Sequence, residues 1–216
     1  MLRFGVRGLL GYISPLESFR LDQAVIGLFL SPTALGLYVV AVSLTNLPRF
    51  LTQSVGMVAY PDVASTSDER ESRLLTRRYV GIALAVSLAV VLPLEFGADA
   101  LIHFFFGSDF ASATSVARIL LAGTVVLGVR RVLADGARGM GYPGLGTVAE
   151  MGSWFVLIPT IVLFPSALGL NGVALALALS WCASLALLVA LLARQQSIHA
   201  RPASPTVIDP GNQPLA

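Results

Sequence analysis

MGSWFVLIPTIVLFPSALGLNGVALALALSWCASLALLVALLA, residues 151–193, is 43 residues long and carries no formal charge. As continuous helix it would extend about 64 Å at 1.5 Å per residue, enough to cross a hydrocarbon core of about 30 Å twice. Two crossings need a break between them. Phe164-Pro165-Ser166-Ala167-Leu168-Gly169-Leu170-Asn171-Gly172 supplies it, because proline and a Gly/Asn cluster punctuate helices. The stretch therefore reads as two spans, near 147–164 and 171–193.

Outward from this run, Tyr79 to Leu94 is also uncharged, and its flanks extend it to a span of 78–96. Ala113 to Leu133 is another. The first sixty residues divide at Ser31-Pro32-Thr33 into two hydrophobic helices, 8–30 with Glu17, Arg20 and Asp22, and 34–60 with Arg49. The sum is an all-α membrane protein with six transmembrane helices. Basic residues favour the cytoplasmic side of a membrane, and the segments on one side hold Arg3, Arg7, Arg70, Arg73, Arg77, Arg78, Arg130, Arg131, Arg138, Arg194 and Arg201, while the opposite connections hold none. Both termini are accordingly expected in the cytoplasm. The opening stretch lacks the small-residue pattern of a cleaved signal peptide. Residues 194–216, with Pro202, Pro205, Pro210 and Pro214, read as a disordered cytoplasmic tail.

Composition supports a membrane class and excludes others. Apolar and aromatic residues make up 56% of the 216 and charged residues 12%, about half the charged share of an ordinary soluble domain. The net charge of +2 is a small imbalance rather than a nucleic-acid-binding surface. All 14 basic residues are arginine, which removes the lysine of a phosphate-cradling P-loop and lysine Schiff-base chemistry. Cys182 stands alone, so no internal disulfide forms, and His103 and His199 have no metal-ligand spacing. Gly139-Met140-Gly141-Tyr142-Pro143-Gly144 matches a dinucleotide-binding glycine pattern formally. It lacks the preceding strand that makes the pattern physical, and is read as a turn between the fourth and fifth spans. No nucleophile–base pair or catalytically spaced carboxylate pair emerges. Neither an enzyme nor a cofactor or metal is expected.

The costly charges are informative. An ionised side chain at the bilayer centre costs about 2.5–3.5 kcal/mol on insertion scales, so it usually faces a protein interior or a wet cavity. Glu17, Arg20, Asp22 and Arg49 are such groups. Counting outward from the turn at Pro32, Glu17 and Arg49 fall within about 3 Å of each other in depth, and they are expected to approach across the first helix pair. Arg20 and Asp22 are then more available to a ligand. Asn46 and Gln53 are placed to hydrogen-bond neighbouring helices, and Pro48 to interrupt the backbone ladder of the second. Cys182 reads as a small packing residue, His103 as interfacial, and Arg118 as snorkelling to the outer interface.

Several segments together carry a family resemblance: Leu2-Arg-Phe-Gly5, Asp22-Gln-Ala-Val-Ile-Gly27, Ala34-Leu-Gly-Leu-Tyr38 with Val40-Ala41, Tyr60-Pro-Asp-Val-Ala-Ser65, Phe106-Gly-Ser-Asp-Phe-Ala111, Gly139-Met-Gly141 and Gly169-Leu-Asn-Gly-Val-Ala174. In order and spacing over residues 3–193 they resemble the second half of bacterial polysaccharide and O-antigen flippases, in the multidrug/oligosaccharidyl-lipid/polysaccharide exporter superfamily. The resemblance implies one six-helix bundle of a two-bundle transporter that alternates between inward-open and outward-open states in the bacterial cytoplasmic membrane. It implies as partners a polyprenyl-diphosphate-linked sugar, membrane lipids, and a second six-helix half or a homodimer mate, with no nucleic acid. Arg20 and then Arg49 are the expected diphosphate-binding residues, since arginine donates paired hydrogen bonds while remaining charged. Asp22 or Glu17 is the expected ion-coupling group, a carboxylate whose proton affinity rises in a low-dielectric cavity. Alternatives are a multidrug exporter fragment, a flippase for the lipid-linked peptidoglycan precursor, and a non-transporting scaffold for sugar-polymer enzymes.

Overall fold

The computed structural model describes Gln23, Ile26, Gly27 and residues 30–199, with the side chains at 165–167 and 196–199 left aside. Glu17, Arg20 and Asp22 lie outside the described residues, as do most of the expected 8–30 span and the 200–216 part of the tail. Four helices and one 3-10 turn follow in chain order: α1 (Pro32–Ala64), α2 (Glu69–Phe106), the turn Ser108–Phe110, α3 (Ala113–Gly139) and α4 (Leu145–His199). Gly169 interrupts α4 with φ 57° and ψ −133°, a left-handed φ that costs a residue with a Cβ about 1–2 kcal/mol. It divides α4 into a first limb, Leu145–Phe164, and a second, Leu168–Gln195. The described chain is thus five helical rods.

Each boundary has a local cause. Ser31 caps α1, its hydroxyl accepting from the Ala34 amide at 3.1 Å, with Pro32 in the first turn, where its missing N–H is no loss. Asp68 caps α2 by accepting from the Arg70 amide at 3.0 Å, and Glu69 and Glu71 complement the helix dipole. Met140–Gly144 forms the turn between α3 and α4, closed by the Tyr142 amide donating to Ala137 O at 2.9 Å. α2 is 38 residues long, far beyond the 78–96 stretch, because the capped charged turns at its start and the Phe104-Phe105-Phe106 run at its end continue the helix.

Among the described residues four helices are long and apolar enough to cross a membrane: Pro32–Ala64, Glu69–Phe106, Leu145–Phe164 and Leu168–Gln195. The expectation of six is corrected to that extent. α3 is a full helix of 27 residues, but Arg118, Arg130, Arg131, Asp135 and Arg138 dilute its hydropathy. Its position explains why that composition is tolerated, since α3 packs against α1, α2 and α4 and is their common neighbour. Enclosed helices need less lipid compatibility than outer ones. The outer rods instead present Phe50, Phe96, Phe104 and Phe155 outward, Phe96 and Phe155 at 86% and 85% exposure, a surface suited to lipid rather than water. The protein is a multi-pass membrane protein.

Packing is close where α3 carries glycine. A Cβ on Gly123 would come 2.8 Å from Trp181 Cζ3, and one on Gly128 would come 2.8 Å from Thr52 Cγ2. Such small residues let helices approach closely in lipid, where dispersion replaces hydrophobic driving force. The largest apolar cluster joins Tyr38, Val42, Ile102, Val116, Leu120, Leu157 and Val173 at one end of the rods. Smaller clusters around Ala59, Ala83 and Val132, and around Ala137, Ala149 and Leu188, lie toward the other. Charged side chains gather in that second half.

Candidate functional site

Arg131, Asp135 and Arg138 recur at i, i+4 and i+7 on α3, which puts them on one stripe of the helix, and the stripe meets α1. The Arg131 guanidinium donates from Nη1 to Gln53 Oε1 at 3.4 Å. Asp135 reaches Gly56, where any side chain would collide with its carboxylate. Arg138 donates to Asp135 Oδ1 at 2.9 Å and lies 5.9 Å from the centre of the Tyr60 ring, within cation–π range. Gln53, Gly56 and Tyr60 are themselves spaced at helical intervals, so one face of α1 reads one face of α3. Asp135 lies two residues past the expected 113–133 span.

Arg130 points to the other side. Its Nη2 lies 3.3 Å from Glu150 Oε2 in α4, with the two side chains 8% and 9% exposed. Arg130 Nε has no hydrogen-bond partner. A buried ion pair returns its desolvation cost only when its geometry and remaining hydrogen bonds are good, and here the guanidinium fork is half used. α3 therefore carries charge toward α1 and toward α4.

The residues expected from sequence fall differently. Arg49 is half-buried near the middle of α1, one turn before Gln53. The proposed approach of Glu17 to Arg49, and the roles of Arg20 and Asp22, concern residues outside the described ones. Gln53 makes the interhelical hydrogen bond expected of it, while Asn46 is exposed. Pro48 is buried inside an α1 that continues past it to Ala64. Cys182 is exposed rather than packed, since it falls on the outer side of the second limb. His103 is exposed, with Nδ1 3.0 Å from Asp99 O. Among the described residues no group of three metal-ligating side chains occurs.

Sequence reasoning missed the α3 stripe by counting Arg130 and Arg131, at the end of the expected 113–133 span, together with Arg138 as markers of the cytoplasmic side. α3 runs on to Gly139, so Asp135 and Arg138 continue the same helix. The four-then-three spacing of Arg131, Asp135 and Arg138 was the available signal.

At the other end, Thr114 Oγ1 donates to Asp99 Oδ1 at 3.4 Å and Ser115 Oγ donates to Asn171 Oδ1 at 3.0 Å. Asp62 accepts from the Tyr79 hydroxyl at 2.7 Å and ties the end of α1 to α2. These are ties between helices. The α1/α3 stripe differs in concentrating several like charges in one seam.

The sequence profile of a family described as "Polysaccharide biosynthesis protein" matches residues 1–115, more than half of the chain. The chain is also 27% identical over 165 residues to a protein of Haloferax volcanii named "Probable low-salt glycan biosynthesis flippase", covering 74% of this chain and 35% of that relative. The chain thus spans about a third of the relative's length. No solved structure matches it. A chain whose described residues are helical, with four apolar spans among them and a charged helix packed against these, and which is matched over its first 115 residues, belongs to the polysaccharide biosynthesis protein family.

Proposed function

We propose that this chain takes part in moving polyprenyl-diphosphate-linked oligosaccharide or polysaccharide repeat units across the cytoplasmic membrane by alternating access, as one helical bundle of a larger two-bundle transporter. The observation that carries the reading is the family match together with a relative named as a glycan biosynthesis flippase. A second bundle, on another polypeptide, in the same longer protein or in a second copy, completes the transporter, in keeping with the 35% of the relative that the chain spans.

Arg20 and Arg49 bind the diphosphate in this reading, and Asp22 or Glu17 couples the movement to an ion gradient. Their residue types suit those tasks. A permanently charged planar fork matches a diphosphate, and a carboxylate in a low-dielectric cavity exchanges protons or binds sodium. An arginine-rich cavity also fits a cationic drug poorly, which disfavours the multidrug alternative. The test is translocation of a lipid-linked sugar in membrane vesicles carrying Arg20→Ala. Transport falls to the level of vesicles without the protein if Arg20 holds the diphosphate, and undiminished transport removes Arg20 from the site.

A further inference from the structure

α1 is 33 residues long, about 50 Å as helix, against a hydrocarbon core of about 30 Å. Asn46 stands about 21 Å from its start and about 27 Å from its end, so it falls inside the core wherever the core is set along the helix. There it is exposed. Hydroxyls on the same side turn back onto their own helix, Ser43 donating to Val40 O at 2.7 Å and Ser54 to Phe50 O at 3.1 Å. A side-chain amide brings two donors and an acceptor, and lipid satisfies none of them. Asn46 also belongs to a polar line. Asn46, Gln53 and Tyr60 recur at intervals of seven, which keeps them within about 40° of one another around α1, and Gln53 accepts from Arg131 while Tyr60 lies under Arg138. A line of polar side chains that joins the charged seam to an exposed amide at membrane depth is out of place against lipid.

We propose that Asn46 is a substrate-contacting residue: it faces an aqueous groove beside the α1/α3 seam, and its amide hydrogen-bonds hydroxyl groups of the lipid-linked glycan as the sugar passes. This rests on the reading that the chain handles a lipid-linked sugar. The chemistry is that of neutral recognition. Sugar hydroxyls both donate and accept, and an amide answers them with two donors and an acceptor, whereas an arginine offers donors alone and suits the diphosphate. Phe50, one turn further on the same side and 68% exposed, presents a ring to the C–H face of a sugar.

The test uses membrane vesicles from the source cells, in which any companion bundle is present, with Cys182→Ser as the background because Cys182 is exposed. Asn46→Cys and Phe155→Cys are each treated with a permanently charged methanethiosulfonate, which reaches thiols only through water. Phe155 is the lipid control, 85% exposed at the middle of the 20-residue first limb of α4. Asn46→Cys is modified many times faster than Phe155→Cys. Movement of the lipid-linked oligosaccharide of the same cells into the vesicle lumen falls about fivefold or more in Asn46→Leu, the loss of a pair of hydrogen bonds. Asn46→Gln, which keeps the amide one methylene further out, falls between Asn46→Leu and the wild type. Equal modification rates at the two positions overturn the proposal, and slow rates at both point to lipid or a packed helix over Asn46. Fast modification with full transport in Asn46→Leu overturns the glycan contact and leaves the substrate reading standing. A wild type that moves no more oligosaccharide than vesicles lacking the chain overturns the substrate reading, and the contact with it.

Discussion

Arg130 and Glu150 show how a single buried pair constrains this molecule. Both are enclosed between α3 and α4, so removing one partner strands the other in a low-dielectric setting. Glu150→Ala is expected to lower unfolding stability by about 3–5 kcal/mol, whereas the double change Arg130→Met with Glu150→Leu loses much less, because it removes both desolvation costs. Equilibrium unfolding in mixed micelles separates the two outcomes. These charges were legible as charges. Their burial was not, because nothing in the residues from Leu133 to Gly139 announces whether α3 has left the membrane or only lost its lipid-facing side.

At the level of elements, α3 is organised by small residues. Gly128 meets Thr52 and Gly123 meets Trp181, whereas Gly81 in α2 has open space around it. Gly128→Leu should force α1 and α3 apart and cost on the order of 1–3 kcal/mol, as overpacking does, while Gly81→Leu should be neutral or slightly stabilising through helix propensity. Melting temperatures of the two variants in one detergent decide the point. The helix break in the long uncharged run was readable, because Pro165, Gly169, Asn171 and Gly172 punctuate it, and Gly169 takes the positive φ. The length of α2 was not, since hydropathy finds the apolar centre of a helix and ignores the capped, charged turns from Glu69 to Arg78 that hydrogen bonding extends. α3 likewise escapes a hydropathy criterion, because its lipid compatibility is supplied by neighbours rather than by its own residues.

On the scale of the whole molecule, four apolar rods among the described residues surround much of a charged one, and the sequence is matched by family over its first 115 residues and by a glycan flippase over 35% of that relative's length. The family was legible in short segments such as Tyr60-Pro-Asp-Val-Ala-Ser65, whose order and spacing carry more information than their composition. The seam between α1 and α3 was not, since it depends on which faces of two helices meet. The central claim, that the chain serves the passage of a lipid-linked glycan, is tested most directly in inverted membrane vesicles prepared from the source cells with and without it, so that any companion bundle is present in both. Movement of a polyprenyl-diphosphate-linked oligosaccharide into the vesicle lumen, measured by its protection from an added glycosidase, should be lost when the chain is deleted and restored when it is re-expressed. Equal protection in both preparations would contradict the claim.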